Sequence, residues 1–297
     1  MTAVSRESHA AGADYSVVAM RDPEAIRRLL EPDRAYGAYA LAQLDPRLFE
    51  DNEWWLACGS SGRQALLVHS TSGLGNALFA TGDAEALDVA LSLHPGPRFS
   101  FGSLRLEHRV VAEKYYVMTR PQLMTRMSVT ASTFEPVAGP AVHLGPSELS
   151  DVNRIYSIDG GPTAYRPAHL EEGVYYGVYV GGTLAAIAGT HVVSRAESVA
   201  VVGNVYTHPN HRGKGLATYA TSAVTADLLR DCELVVLTVE AKNDPAVRVY
   251  TKLGYQAVCS LHETPLIRKD PTGLGALVRR TIAGWRGRRE GKELVAR

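Results

Sequence analysis

The chain has 297 residues, of which 45% are hydrophobic, and its 31 basic and 31 acidic side chains cancel. This length and composition are typical of a globular protein with one large domain or two ordinary ones. The balanced charge gives no reason to expect a nucleic acid or a membrane surface as partner, and no apolar run is long enough to span a bilayer.

The cysteines and the first residues predict a cytoplasmic protein. Cys58, Cys232 and Cys259 are far apart, and their spacing fits neither a metal site nor a disulfide framework. The first 16 residues lack the apolar stretch of a secretory signal and are interpreted as a short lead-in. We therefore expect no bound metal.

The first 133 residues alternate between helical and strand-like patterns. Asp22 followed by Pro23 is typical of a helix start, and a second helix is predicted around residues 34–44. A capped amphipathic helix begins at Asp83. The remaining apolar runs are predicted to be strands: "EWWLAC", "QALLVHS", "NALFA", "HRVVAEKYYVMT" and "RMSVT".

Residues 134–148 carry three prolines and two glycines, which is typical of a domain boundary. We predict an N-terminal domain over residues 1–133, a linker over 134–140, a second domain over 141–265 and a basic tail over 266–297. The tail is interpreted as a solvated helix or a frayed end.

The second domain is predicted to be a mixed α/β layer. Two glycines, Gly181 and Gly182, separate two apolar runs and predict a tight β-hairpin, because such a turn needs positive φ angles. The predicted elements are the helices "PSELSDVNRIYSI" and "RPAHLEE", the strands "GVYYGVYV", "TLAAIAGTHVV" and "SVAVVGNVYTH", a helix near 215–230, the strand "ELVVLTVE", a helix near 244–253 and the strand "YQAVCSL".

The stretch "GNVYTHPNHRGKGLA", residues 203–217, predicts an anion site at the start of a helix. The first amides of a helix have no partner within it, and the helix dipole is positive there, so such ends bind phosphates. Gly213 and Gly215 permit close approach of a ligand, while Arg212 and Lys214 add positive charge.

Three kinds of phosphate loop compete for this stretch. A Walker loop needs a hydroxyl residue after the lysine, but Gly215 follows Lys214. A dinucleotide fingerprint needs glycine or alanine where Thr218 stands. The third pattern, Arg/Gln-x-x-Gly-x-Gly/Ala, is matched at each position by Arg212, Gly215 and Ala217.

A second motif follows about 30 residues later in "NDPAVRVYTKLGY". With the glycine turn, it resembles the two signatures of the GNAT superfamily of acyl-coenzyme-A-dependent N-acyltransferases, and the order of elements over 141–262 is similar to that family. The residues that match the second signature are Asn243, Ala246, Tyr250, Leu253, Gly254 and Tyr255.

The resemblance implies a GNAT fold in the second domain and direct acetyl transfer from acetyl-CoA to a primary amine. It implies that the strand before the turn separates from its neighbour and binds the pantetheine arm. Gly203 predicts either the bulge that starts this separation or a glycine tolerated for packing. The implied coenzyme A ligands are Val205, Tyr206, Thr207, Arg212, Gly213, Lys214, Gly215, Leu216, Ala217, Asn243 and Tyr250.

The resemblance makes Tyr250 the general acid toward the leaving thiolate, since a phenol keeps its proton at neutral pH. Asn243 is predicted to bind the pantetheine, to cap its helix, or to do both. The general base is left open among Glu240, His191 and His208.

Residues 1–133 contain no phosphate turn, but their order of elements echoes the second domain. This arrangement resembles the glycine N-acyltransferase branch, in which a degenerate GNAT-like half precedes the catalytic half. A non-catalytic acyl-CoA sensor stays open as an alternative. The acceptor, either a small molecule or a peptide amine, and the choice between monomer and homodimer are also left open.

Overall fold

The computed structural model describes residues 15–71, 75–160 and 165–289. By its internal contacts the chain forms two compact units, and both are discontinuous in sequence. The first is drawn from Met1–Leu29, Asp51–Pro121 and His262–Arg297, and the second from Leu30–Glu50 and Gln122–Leu261. Residues 30–50 thus lie in the second unit, although they precede the boundary predicted at 134–140, which stays a prediction.

The elements follow one another in chain order, with three short 3₁₀ turns at Glu31–Asp33, Pro146–Glu148 and Pro209–His211. The first group is β1 (Tyr15–Ala19), α1 (Pro23–Leu30), α2 (Arg34–Ala42), α3 (Pro46–Phe49), β2 (Asn52–Gly59), β3 (Gln64–Ser70), β4 (Ala77–Gly82), α4 (Ala84–Leu93), β5 (Phe99–Leu104), α5 (Leu106–Ala112), β6 (Tyr116–Met118) and β7 (Gln122–Val129). The second group is β8 (Ala141–His143), α6 (Leu149–Ser157), α7 (Pro167–Glu172), β9 (Tyr176–Val180), β10 (Thr183–Ser194), β11 (Val199–Thr207), α8 (Leu216–Leu228), β12 (Leu234–Glu240), α9 (Asp244–Lys252), β13 (Gln256–Arg268) and α10 (Leu274–Arg289).

The strand predicted over "HRVVAEKYYVMT" is wrong, because its first part forms helix α5. His108, Val111 and Ala112 are buried, and this spacing places all three on one face of a helix. Their packing therefore overrides the strand preference of the two adjacent valines. Only the end of the run, β6, is extended.

Strands β1 and β5 were absent from the predicted set, and of the two alternatives for the tail, a solvated helix or a frayed end, its described part contains a helix. β1 begins at Tyr15 inside the predicted lead-in, whose residues 1–14 lie outside the described residues. β5 follows a proline-containing turn and contains Gly102, so its sequence carries a weak strand signal. In the predicted basic tail, β13 extends to Arg268 and α10 follows it.

The first unit contains a mixed sheet in the order β1-β2-β3-β4-β5-β13, with β6 also paired to β13. The first four strands are antiparallel, β4 and β5 are parallel, and β5 pairs antiparallel with β13. Helix α4 lies between the two parallel strands in sequence and packs on the sheet through Leu87 and Leu91. The strand that completes this sheet therefore comes from the far end of the chain.

The second unit repeats this arrangement in the order β8-β9-β10-β11-β12-β7. Its first four strands are antiparallel, β11 and β12 are parallel, and β12 pairs antiparallel with β7. Helix α8 lies between the parallel strands in sequence. Gly181 and Gly182, at φ +57° and +75°, form the predicted hairpin turn between β9 and β10.

Helices cover both faces of the second sheet. Ala200 and Val202 pack with α8 and α9, while Val201, between them on β11, packs with α2. Because side chains alternate along a strand, α2 lies on the face opposite to α8. Helices α6 and α7 form a further buried cluster with Leu184 and Ile187 of β10.

Candidate active site

The parallel strands β11 and β12 separate at their carboxyl ends. They are paired from Val199↔Leu234 to Val202↔Leu237, and β11 then continues to Thr207 and β12 to Glu240 without further pairing between them. A groove of about 1040 Å³ follows the separation. The separation frees backbone groups of both strands to bind a ligand.

Two opposed bulges accompany the separation. Gly189 pairs with Gly203 and Ile187 with Tyr206, so β11 holds one extra residue between these pairs, and Asn204 there has φ +54°. Thr190 pairs with Val202 and Val192 with Val201, so His191 is the extra residue of β10. The predicted bulge next to Gly203 is thereby confirmed, and the second bulge was not expected.

Hydrogen bonds hold the β11 bulge in place. The hydroxyl of Tyr156 donates to the carbonyl of Asn204, and the Asn204 Nδ2 donates to the Thr190 carbonyl at 3.3 Å. Asn204 is one of three described residues other than glycine with a positive φ, a conformation that asparagine adopts more readily than most.

The glycine turn lies at one end of the groove. Gly213 and Gly215 have φ +77° and +76°, and no atom lies within 4 Å of where a Cβ would stand on either. Gly215 is the N-cap of α8 and supplies no side chain to bind its first amides. Among the described hydrogen bonds, none uses the amides of residues 213–217 as donors. The turn therefore offers open, unpaired amides to an anion.

The two basic side chains of the turn form hydrogen bonds or ion pairs with nearby groups of the protein. Arg212 forms an ion pair with Asp159 at 2.8 Å and donates to the Thr207 carbonyl at 3.2 Å. Lys214 donates to the Asn210 carbonyl at 3.2 Å and does not line the groove. Bonds from the Tyr206 hydroxyl and from Arg212 lower the pKa of Asp159. Sequence reasoning missed Asp159, which carries no signal of its own in the "SIDGG" loop.

Tyr250 lines the groove from α9 with its side chain 7% exposed. Burial raises its pKa to about 12, so the phenol keeps its proton at neutral pH. No hydrogen bond of its hydroxyl is found among the described residues, and its ring lies edge-on to Tyr255 with centroids 6.0 Å apart. A hydroxyl without a described partner, on a largely buried side chain that lines a groove, is available to a ligand.

Asn243 caps α9 through its Oδ1, which accepts from the Ala246 amide at 3.3 Å, and it also lines the groove. Both expectations for this residue are thus compatible with its position.

The three candidate bases differ in position. Glu240 lines the groove and pairs with Lys242 at 2.9 Å, while His208 accepts from the Asn210 amide at 3.2 Å and does not line it. His191 lines the groove and contacts Tyr39, whose Oη lies 2.6 Å from its Nδ1. Of the three, only Glu240 and His191 can meet a ligand in the groove.

The groove collects most of the predicted ligands of coenzyme A. Those that line it are Val205, Tyr206, Thr207, Arg212, Gly213, Gly215, Leu216, Ala217, Asn243 and Tyr250. The open turn, the freed strand and the groove volume suit an extended ligand with a phosphate group. In the part of the chain that the structure describes, no cluster of three metal-ligating side chains occurs and no helix is long and apolar enough to cross a membrane.

The strand separation, the glycine turn and the start of α8 lie together in a mixed α/β fold. Residues 147–255 match the family model "Acetyltransferase (GNAT) family" and thus form a GNAT acetyltransferase domain, with acetyl-CoA as the family's co-substrate. The match implies acyl-CoA-dependent N-acetyltransferase activity. Comparison with curated protein sequences finds no match.

Solved GNAT structures have the same fold. A putative acetyltransferase of the GNAT family from Novosphingobium aromaticivorans is 23% identical with a TM-score of 0.51 over 68% of this chain and 88% of its own. A GCN5-related N-acetyltransferase from Kribbella flavida is 18% identical with a TM-score of 0.50 over 69% and 86%. A GCN5-related N-acetyltransferase from Sphaerobacter thermophilus is 15% identical with a TM-score of 0.51 over 86% and 95%, so the likeness extends beyond the matched domain.

Proposed function

We propose that the protein transfers an acetyl group from acetyl-CoA to a primary amine by direct attack in a ternary complex. The observation that carries this proposal is the continuity of one groove from the open amides of the glycine turn to the hydroxyl of Tyr250. The turn would hold the pyrophosphate, and the freed edge of β11 would hold the pantetheine arm through the amides near Val205 and Thr207.

The bound acetyl-CoA supplies an activated thioester. An amide near Val205 or Tyr206 would polarise the carbonyl and stabilise the developing oxyanion. Tyr250 would protonate the departing sulfur, for which its raised pKa and unbonded hydroxyl are suitable. Three cysteines are present, and none is at the groove, which supports direct transfer without a covalent intermediate on the chain.

We propose further that the first unit is a degenerate GNAT-like repeat, as in the glycine N-acyltransferase branch. Its sheet has the same order and the same single parallel pair as the second unit. Asp83, however, is the N-cap of its helix α4, and the Asp83 carboxylate accepts from the amides of Glu85 and Ala86 at 3.1 and 2.9 Å. In the first unit, therefore, the Asp83 carboxylate binds the first amides of α4. In the second unit the corresponding amides at the start of α8 are open to a phosphate.

The test is release of free thiol from acetyl-CoA by the full chain with a panel of amines: amino acids, polyamines, aminoglycosides and peptides. Amine-dependent release and the mass of the acetylated product would support the proposal. Binding of acetyl-CoA by calorimetry without turnover of any amine would refute it in favour of a sensor. Tighter binding of NAD than of coenzyme A would refute both.

A further inference from the structure

The bulge on β10 directs one histidine into the strand separation. A bulged residue stands outside the regular alternation of its strand, and bulges next to active sites commonly re-aim a side chain in this way. His191 is this extra residue, and its ring lies over the backbone of β11 where the pairing with β12 ends.

Gly203 makes room for the imidazole. A Cβ on Gly203 would stand 2.2 Å from the Nε2 atom of His191, far inside van der Waals contact. The φ angle of Gly203 is not positive, so the backbone does not require glycine at this position. The requirement comes from the ring, because only glycine lets Nε2 reach the start of the separation.

Helix α2 holds the other nitrogen of the ring. The hydroxyl of Tyr39 lies 2.6 Å from Nδ1, a short distance for a hydrogen bond. The guanidinium of Arg126, on β7, lies 5.0 Å from the centre of the Tyr39 ring, and Arg126 is 1% exposed. Tyr39 is thus fixed between a buried cation and the imidazole.

We propose that His191 is the general base of the acyl transfer and that Tyr39 is a positioning residue that keeps the proton of the neutral ring on Nδ1. Nε2, which lies beside Gly203 at the start of the separation, then carries the lone pair. This inference rests on the proposed acetyl transfer, but the pairing of Tyr39 with His191 can be measured without turnover.

The proton balance of the step is complete. The neutral amine attacks the thioester carbon, the C–N bond forms and the C–S bond breaks. The nitrogen becomes acidic as it bonds to carbon, and its proton passes to Nε2 of His191. The departing sulfur takes a proton from Tyr250, and both side chains return to their resting states by exchange with water.

The surroundings keep His191 neutral before the reaction. Burial lowers its pKa, as does the positive charge of Arg126 from β7, while the side chain of Asn204 on β11 acts in the opposite direction. From α2 the group that faces the ring is Tyr39. Since the folded pKa lies below the ordinary 6.5, the base is available at neutral pH and is lost only as the pH falls below that value.

The first experiment compares the pH dependence of kcat/KM in wild type, His191→Gln and Gly203→Ala, with acetyl-CoA and an amine from the panel. We expect an acid limb in wild type with an apparent pKa below 6.5, its loss in His191→Gln, and a fall in kcat/KM of about 10²-fold. Gly203→Ala removes no polar atom but displaces the ring, so a comparable fall is expected. KM for acetyl-CoA should not change.

The second experiment is ¹⁵N NMR of the imidazole in wild type, Tyr39→Phe and a control, Tyr179→Phe. The control also loses a tyrosine hydroxyl bond, to Asp151 at 2.9 Å, away from the groove. In Tyr39→Phe we expect the proton to shift from Nδ1 toward Nε2. We expect kcat to fall about tenfold, which is less than the ~10²-fold expected for losing the base itself. Tyr179→Phe should change neither.

An unchanged acid limb and kcat/KM in folded His191→Gln would overturn the assignment of the base and leave Glu240 as the candidate in the groove. A tautomer that is the same in wild type and Tyr39→Phe would overturn the positioning role. If wild type turns over no amine but Tyr39→Phe shows the expected tautomer shift, the acetyl transfer is refuted, and so is the role of His191 as its general base. The pairing of Tyr39 with His191 would then still be established.

Discussion

Replacing Tyr250 by phenylalanine is expected to slow catalysis without lowering the stability of the fold. The substitution keeps the ring that packs edge-on to Tyr255 and removes only the hydroxyl. Because no described hydrogen bond uses that hydroxyl, the folded state loses no bond, and we expect the melting temperature to stay the same.

The kinetic effect follows from the proposed role as general acid. Such catalysis is typically worth about 10²–10⁴-fold, and a thiolate is a fairly good leaving group, so we expect kcat to fall by about 10²-fold. Since the interaction is made only as the sulfur departs, KM for acetyl-CoA should change little. The pKa of about 12 predicts that wild-type kcat shows no loss from Tyr250 up to about pH 10.

Tyr255→Phe is the matched control. Its hydroxyl lies 2.8 Å from the Thr225 hydroxyl in the core and does not line the groove. Losing that bond should cost about 1 kcal/mol and lower the melting temperature by roughly 2–4 °C, with kcat unchanged. Wild-type kcat in folded Tyr250→Phe, under conditions where chemistry limits the rate, would refute the general-acid role; a rise in KM alone would assign the hydroxyl to binding.

Three further outcomes are expected. Gly215→Glu should abolish binding of coenzyme A in calorimetry, whereas Gly181→Glu, which adds the same charge at another open glycine with positive φ outside the groove, should bind normally; equal affinities would remove the pyrophosphate assignment. A fragment of residues 134–297 lacks β7 and α2, so it should bind no coenzyme A until it is co-expressed with residues 1–133; full binding by the fragment alone would show that these elements are dispensable. Burial lowers the pKa of His94 to about 4, so its unfolded form takes up protons first and stability should fall as the pH drops from 6.5 toward 4; a His94→Asn variant with the same decline in melting temperature would refute this source.

The elements of the second unit that were predicted each have a strong local signal. Three features depend only on local backbone angles and helix capping, which a few consecutive residues determine. They are the hairpin at Gly181 and Gly182, the N-cap at Asn243 and the glycine turn. β5 and α5 were not predicted, because glycine, proline and adjacent valines give conflicting local preferences that tertiary packing resolves.

The candidate site likewise contains features that the sequence predicts and features that depend on long-range contacts. The turn and Tyr250 follow from motifs, but Tyr39 and Asp159 reach the site from segments that lie 152 and 53 residues from their partners His191 and Arg212. Likewise, the opposed bulges depend on the registers of two strands with each other. The residue pattern within one segment does not indicate which distant segment it will contact or in which register two strands will pair.

The use of β13 to complete the first sheet has a consequence for synthesis on the ribosome. Domains generally fold as their residues emerge, from the N-terminus onward. Here the partner of β5, residues 262–267, emerges more than 150 residues after β5 itself. Until then β5 presents an unpaired edge, and its outward Phe99 and Phe101 are 55% and 46% exposed even in the complete fold. The interval of translation between the two strands is therefore the period in which the nascent chain most needs protection from association with other chains.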